Sequence, residues 1–201
     1  MTQRKGFKDV YIAKITANTE EIYTAEKPVK LFVGISGKTK YSFDKTPVYG
    51  DDMEIENDIE FKSGDIELEG MNIAPEQLAI LYGYTFNKGM IIANKNNFGN
   101  DVAVGYRSKN SDGKYHFYWH YVCNFAGDEE DDFETIAEKS KRQPVKLKGT
   151  IRPRLKDGNL KVEIDESFLT GEHTEAKALL QVGESKVIKW FDSVVEPITG
   201  E

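Results

Sequence analysis

The sequence predicts an all-β fold: a β-sandwich with one short flanking helix and a C-terminal helix. Three observations carry this prediction. Polar and apolar residues alternate over long runs, the period of a strand with one face in water. Turn-forming clusters punctuate those runs at Ser63-Gly64, at 110–113 and at 157–159. Apolar residues at helical spacing occur only near 75–83 and 187–195.

Taken in order, 9–16 reads as a first strand and 29–41 as a second, with Gly34 and Gly37 marking a bulge or bend. The most unusual stretch follows. Acids fall on every second residue at Asp52, Glu54, Glu56, Asp58 and Glu60, with Ile55, Ile59 and Phe61 among the residues between. Beyond Ser63-Gly64 the pattern resumes as Asp65, Glu67 and Glu69, alternating with Ile66 and Leu68. With Ser63-Gly64 as the turn, the two runs pair into a hairpin with one acidic face. Like charges opposed across strands destabilise by roughly 0.2–1 kcal/mol per pair, so such a face points to a task. The plainer reading, a solvated strand in an acidic protein, fits the same residues.

A short helix is expected next. Pro75 suits its first position, Glu76 suits its positive end, and Gly83 stops it. A second hairpin joins 101–107 to 114–124 across Asn110-Ser111-Asp112-Gly113, and its second strand is aromatic on both faces from Tyr115 to Tyr121. Positions 127–132 form an acidic loop. The strand 144–156 inverts the charge pattern. Lys146, Lys148, Arg152, Arg154 and Lys156 share one face, opposite Val145, Leu147, Ile151 and Leu155. Asp157-Gly158-Asn159 turns it into a strand over 160–164. A closing helix is expected over 187–195, before Pro197, and 166–183 resists assignment. The polar stretches 41–51 and 127–142 lack periodicity and are candidates to order on assembly.

The 201 residues, 39 % hydrophobic and 11 % aromatic, suffice for one domain over 1–201, with 1–8 and 166–201 as an arm or extension. A net charge of −7 argues against a dedicated nucleic-acid binder. The opening residues are polar, so no export signal is expected, and no run reaches the length of a membrane span. The lone Cys123 reads as a buried small hydrophobe. No catalytic residue, metal site or cofactor is expected. His116 and His120 are four apart, but on a strand among aromatic residues. Serine lacks a nucleophile elbow, and the acids at 51–52 and 128–132 lack the spacing of a calcium loop.

Charge geometry remains. In one sheet the acidic and basic faces neutralise each other. On opposite sides of the molecule they make a head-to-tail contact that builds rings or filaments.

Several stretches, in this order, give the chain a resemblance. They are GFKDVYIAKI at 6–15, YGDD at 49–52, GDIELE at 64–69, APEQLAILYG at 74–83, VGYRSK at 104–109 with GKY at 113–115 and Trp119, and WFDSVVEP at 190–197. Together they resemble the major tail proteins of long, flexible-tailed bacteriophages, the tail tube subunits. The stretch 173–183 is longer than that family's pattern, and Gly70-Met71-Asn72 replaces a more acidic one. The resemblance implies a tail-tube-like β-sandwich in the virion that assembles with itself into hexameric rings. These stack around a tape measure protein, among other tail proteins, and phage DNA later passes down the bore without specific binding. No membrane is involved. Asp52, Glu54, Glu56, Asp65, Glu67 and Glu69 are then candidates to face the lumen, because an acidic bore does not hold a duplex. Lys146, Lys148, Arg152 and Arg154 are candidates to meet a neighbouring subunit. The alternative class is a non-catalytic binding module, holding a carbohydrate or protein ligand on the aromatic strand 115–121.

Overall fold

In the computed structural model, residues 3–50, 53–126 and 144–198 are described, with backbone alone at 48–50 and 54–57. The strands are β1 (Arg4–Asn18), β2 (Tyr23–Ala25), β3 (Val29–Gly50), β4 (Met53–Met71), β5 (Thr85–Asn87), β6 (Met90–Ile92), β7 (Asp101–Asn110), β8 (Tyr115–Asn124), β9 (Val145–Arg152) and β10 (Lys161–Asp165). The helices are α1 (Pro75–Tyr82) and α2 (Thr174–Leu179). The all-β, sandwich-like architecture predicted above is present.

One antiparallel sheet runs β10-β8-β7-β1-β3-β4-β9, and β9 also pairs with β8. Strands β8, β7, β1, β3, β4 and β9 therefore close into a barrel, which removes the sheet edges over that circuit. β8 allows this by dividing one edge: its 116–120 half pairs with β10, and Val122, Cys123 and Asn124 pair with β9. Inside lie Val10, Ile12, Leu31, Ile66, Leu68, Val102, Val104, Cys123, Leu147 and Ile151. Leu81 and Tyr82 of α1 belong to the same cluster. Burial pushes the Cys123 thiol well above its ordinary range, in keeping with a packing role.

β8 is buried on both faces. Its inward residues Tyr118 and His120 join Tyr106 of β7. Its outward residues Phe117 and Trp119 are covered by Trp190, Phe191 and Val195. The Trp119 ring lies over Gly105, where a Cβ would come within 2.8 Å of it. Gly34 and Gly37 have a similar cause, because the Phe7 ring would stand 2.6–2.8 Å from a Cβ at either. The bulge read there falls between Gly34 and Ser36.

The closing helix expected over 187–195 is replaced by a covering strip with a single 3-10 turn at Lys189–Phe191. The strip must lie flat on β8, and β8 takes its backbone. Trp119 Nε1 donates to the Trp190 carbonyl at 2.8 Å, and the Tyr121 hydroxyl to the Val195 carbonyl at 3.0 Å. The second helix lies earlier, as α2, in the stretch that resisted assignment.

Candidate assembly surface

The acidic pattern does not fold as a hairpin around Ser63-Gly64. β4 runs unbroken through both residues, and its partner throughout is β3, down to the pair Gly50–Met53. The long polar stretch 41–50 is thus strand. Gly64 serves the approach of β9: a Cβ there would stand 2.9 Å from the Ile151 Cβ. Ser42 faces Ser63 and Phe43 faces Phe61, leaving Lys62 as a one-residue bulge. A bulge shifts the two-residue period by one. This re-phasing keeps Asp58 and Glu60 on the same face as Asp65, Glu67 and Glu69.

That face is mixed in sign. Glu67 is flanked by Lys38 on β3 and Lys148 on β9, Asp65 by Lys40 and Thr150, and Glu69 by Ser36 and Lys146. The Ser36 hydroxyl donates to Glu69 Oε2 at 2.8 Å. The acidic row is therefore the middle of three, with lysines on either side, and the same-sheet arrangement is the one found. Asp65, Glu67, Lys146 and Lys148 share one surface, so the acidic and basic candidates do not form two separate sites. Glu56 is in backbone register with Val48 and Glu54 with Tyr49, and a second register shift between these two pairs puts Glu54 out of phase with Glu56. Their side chains and Asp52 lie outside the described residues, as does the acidic loop 127–132 within 127–142.

Both arginines already hold carboxylate partners. Arg152 Nη2 donates to Asp101 Oδ1 at 2.6 Å, so its charge already has a partner. Arg154, past the end of β9, is only 1 % exposed. Its Nε bonds Asp157 at 2.7 Å, its Nη1 bonds Glu196 at 2.8 Å, and its guanidinium sits 4.1 Å from the Tyr121 ring centroid. Burial alone would lower its pKa, but the bonds from Asp157 and Glu196 prevail and raise it. Hydrogen bonding from Arg154 holds the Asp157 carboxyl down at about 2. Arg154 therefore fastens the C-terminal strip to the barrel and is not available at a free surface, which corrects its placement among the interface candidates.

A feature the sequence reading missed lies beyond the bulge. β1 pairs with β3 only as far as Phe32, and β9 pairs with β4 only from Gly64 onward. The part of the hairpin from Phe43 to Phe61 has no further strand beside it among the described residues. Eight residues of strand reach about 25 Å. Phe43 packs edge-on against Phe61 with centroids 5.8 Å apart. Yet Phe43 is 49 %, Ile59 56 % and Met53 71 % exposed. Phe43, Phe61 and Ile59 continue the face that holds Tyr41 and Ile66 inside the barrel, but here no described residue covers it. The signal was in the sequence: Lys38, Lys40, Ser42, Asp44 and Thr46 alternate just as the acids of β4 do.

The aromatic strand offers no ligand platform, since Phe117 to Tyr121 are all buried. His120 bonds the Tyr41 hydroxyl through Nδ1 at 2.7 Å and the Tyr106 hydroxyl through Nε2 at 3.0 Å. Burial, with a smaller contribution from Lys161, depresses its pKa to about 3. A neutral imidazole has one donor and one acceptor, and two phenols match it. Among the described residues no cluster of metal-ligating side chains occurs. Comparison with protein-family models and with curated proteins finds no match to the chain.

Proposed function

We propose that this chain is a structural, non-catalytic subunit that assembles with copies of itself into stacked rings, the tail tube of a bacteriophage. The observation that carries the reading is the projecting end of the β3–β4 hairpin. Two strands alone are marginal in water, and among the described residues this pair leaves three large apolar side chains uncovered and both edges open. A monomer guards such edges, whereas an assembling protein uses them. The resemblance of the sequence to tail tube subunits supplies the kind of assembly. In this reading the arm joins a neighbouring copy. The charged face of β3, β4 and β9 lines the bore, with Asp65, Glu67 and Glu69 repelling the duplex and Lys146 and Lys148 moderating the row. The tape measure protein and other tail proteins are the expected partners in the virion.

Negative-stain electron microscopy of the concentrated protein is the test. Rings or hollow tubes are expected. Isolated particles at every concentration, with no growth on seeding by assembled tail material, would sink the proposal.

A further inference from the structure

A second site lies where β1, β3, β7 and β8 meet at one end of the barrel. An open-mouthed cavity of about 370 Å³ is lined there by Arg4, Phe7, Lys38, Tyr106, Ser108 and Tyr118, among others. Tyr118 is 5 % and Ser108 7 % exposed. Their hydroxyls lie side by side and interact with each other, and neither meets a further partner among the described residues. Two hydroxyls bonded only to each other still leave one buried donor without an acceptor, which costs about 1–3 kcal/mol. The Arg4 guanidinium stands 5.4 Å from the Tyr118 ring centroid. Arg4 enters no ion pair among the described residues, in a chain of net charge −7. The two carboxylates that act on Tyr118 are turned elsewhere: Asp165 and Glu163 face His116 at 3.2 and 3.6 Å, and Asp165 also accepts from Asn110 and Ser167.

We infer that this cavity is an oxyanion socket. One phosphate or carboxylate group accepts hydrogen bonds from the Tyr118 and Ser108 hydroxyls, and Arg4 neutralises its charge. Phe7 and Tyr106 wall the cavity with apolar surface, which strengthens each of those bonds by excluding water. Burial keeps the Tyr118 phenol protonated up to about 12, so it remains a donor at physiological pH. The site does not depend on the proposed assembly and goes beyond it. The anion has two sources, a free phosphate or an acidic side chain of a second copy.

The experiment titrates inorganic phosphate into dilute protein at constant ionic strength, followed by phosphorus NMR line width and by Tm. Saturable broadening and a rise in Tm are expected. Arg4→Gln, an exposed change, should weaken binding about ten-fold or more, because a charge-assisted bond is lost. Ser108→Ala should weaken it less while leaving the Tm without phosphate nearly unchanged. Lines that stay sharp, or broadening identical in wild type and both variants, would mean that the cavity holds only water and would overturn the inference. Sedimentation in the same titration separates the sources. A constant mass marks a free anion, and a mass that falls as phosphate rises marks a carboxylate from a second copy.

Discussion

The two ends of the β3–β4 hairpin share the same two strands and their polar–apolar alternation, yet they are held in different ways. From Val33 to Tyr41 and from Gly64 to Met71 the inward face meets a closed core, with Ile66 and Leu68 buried completely or nearly so. From Phe43 to Phe61 the same face continues with no core beneath it among the described residues. The difference teaches that alternation states which residues share a face, and only the neighbouring elements decide whether that face is covered. The body is held by its own core; among the described residues the arm is held by the β3–β4 pairing alone.

Changes to the body should therefore lower subunit stability, and changes to the arm should not. The largest effect is expected for Trp190→Ala. This side chain is fully buried against Phe117 and hydrogen-bonds the Tyr118 carbonyl. Truncation should cost about 3–5 kcal/mol in urea unfolding. A loss below about 1 kcal/mol would show that the C-terminal strip does not belong to the cooperative body.

Next comes Arg154→Met, which frees Asp157 and Glu196 and removes the stacking on Tyr121. Both carboxylates are partly exposed and can rehydrate, so a loss of about 2 kcal/mol is expected, less than for a fully buried pair. The variant should also lose part of the acid dependence below pH 4. The Asp157 pKa is depressed by folding, so its stabilisation is present above the unfolded carboxylate pKa and disappears as pH falls towards about 2.

A pH series sharpens the comparison within the body. His120 is neutral when folded and titrates near 6.5 when unfolded. The unfolded chain therefore binds a proton first as pH falls. Stability should be full above about pH 6.5 and decline on the order of 1 kcal/mol per pH unit from there towards pH 4. His120→Gln keeps polar partners for Tyr41 and Tyr106 and should flatten that slope, as read from chemical denaturation at each pH.

The smallest effect on the subunit is expected from the arm. The double variant Phe43→Ser with Ile59→Ser removes apolar side chains that already face water. Its unfolding free energy should stay within about 0.5 kcal/mol of wild type, measured at a concentration where both are monomeric. A loss above about 2 kcal/mol would place the arm in the folded body after all.

Much of the fold was legible in the sequence. Pro75 and Gly83 bracket α1 closely, and Gly83 takes a left-handed φ of 69° as a helix stop requires. The 110–113 turn and the two strands it joins were read from their turn chemistry, and Gly113 has φ 90°. What failed did so for tertiary reasons. Ser63-Gly64 resembles a turn, but Gly64 is small for the sake of Ile151, a neighbour remote in sequence. The 187–195 spacing resembles a helix, but Trp119 and Tyr121 claim the carbonyls a helix would use. The charged face was half legible. Its acids were visible as one row, while the lysines that flank them come from β3 and β9 and are brought together only by the barrel. The uncovered arm was the least legible, because exposure depends on where β1 and β9 stop.

The central claim is that the arm is an assembly element. The direct measurement is the mass in solution of wild type and the Phe43→Ser, Ile59→Ser variant over a concentration series, with electron microscopy of the endpoints. The account predicts that wild type grows into rings or tubes while the variant stays a folded single subunit. Assembly of both proteins to the same extent would contradict it.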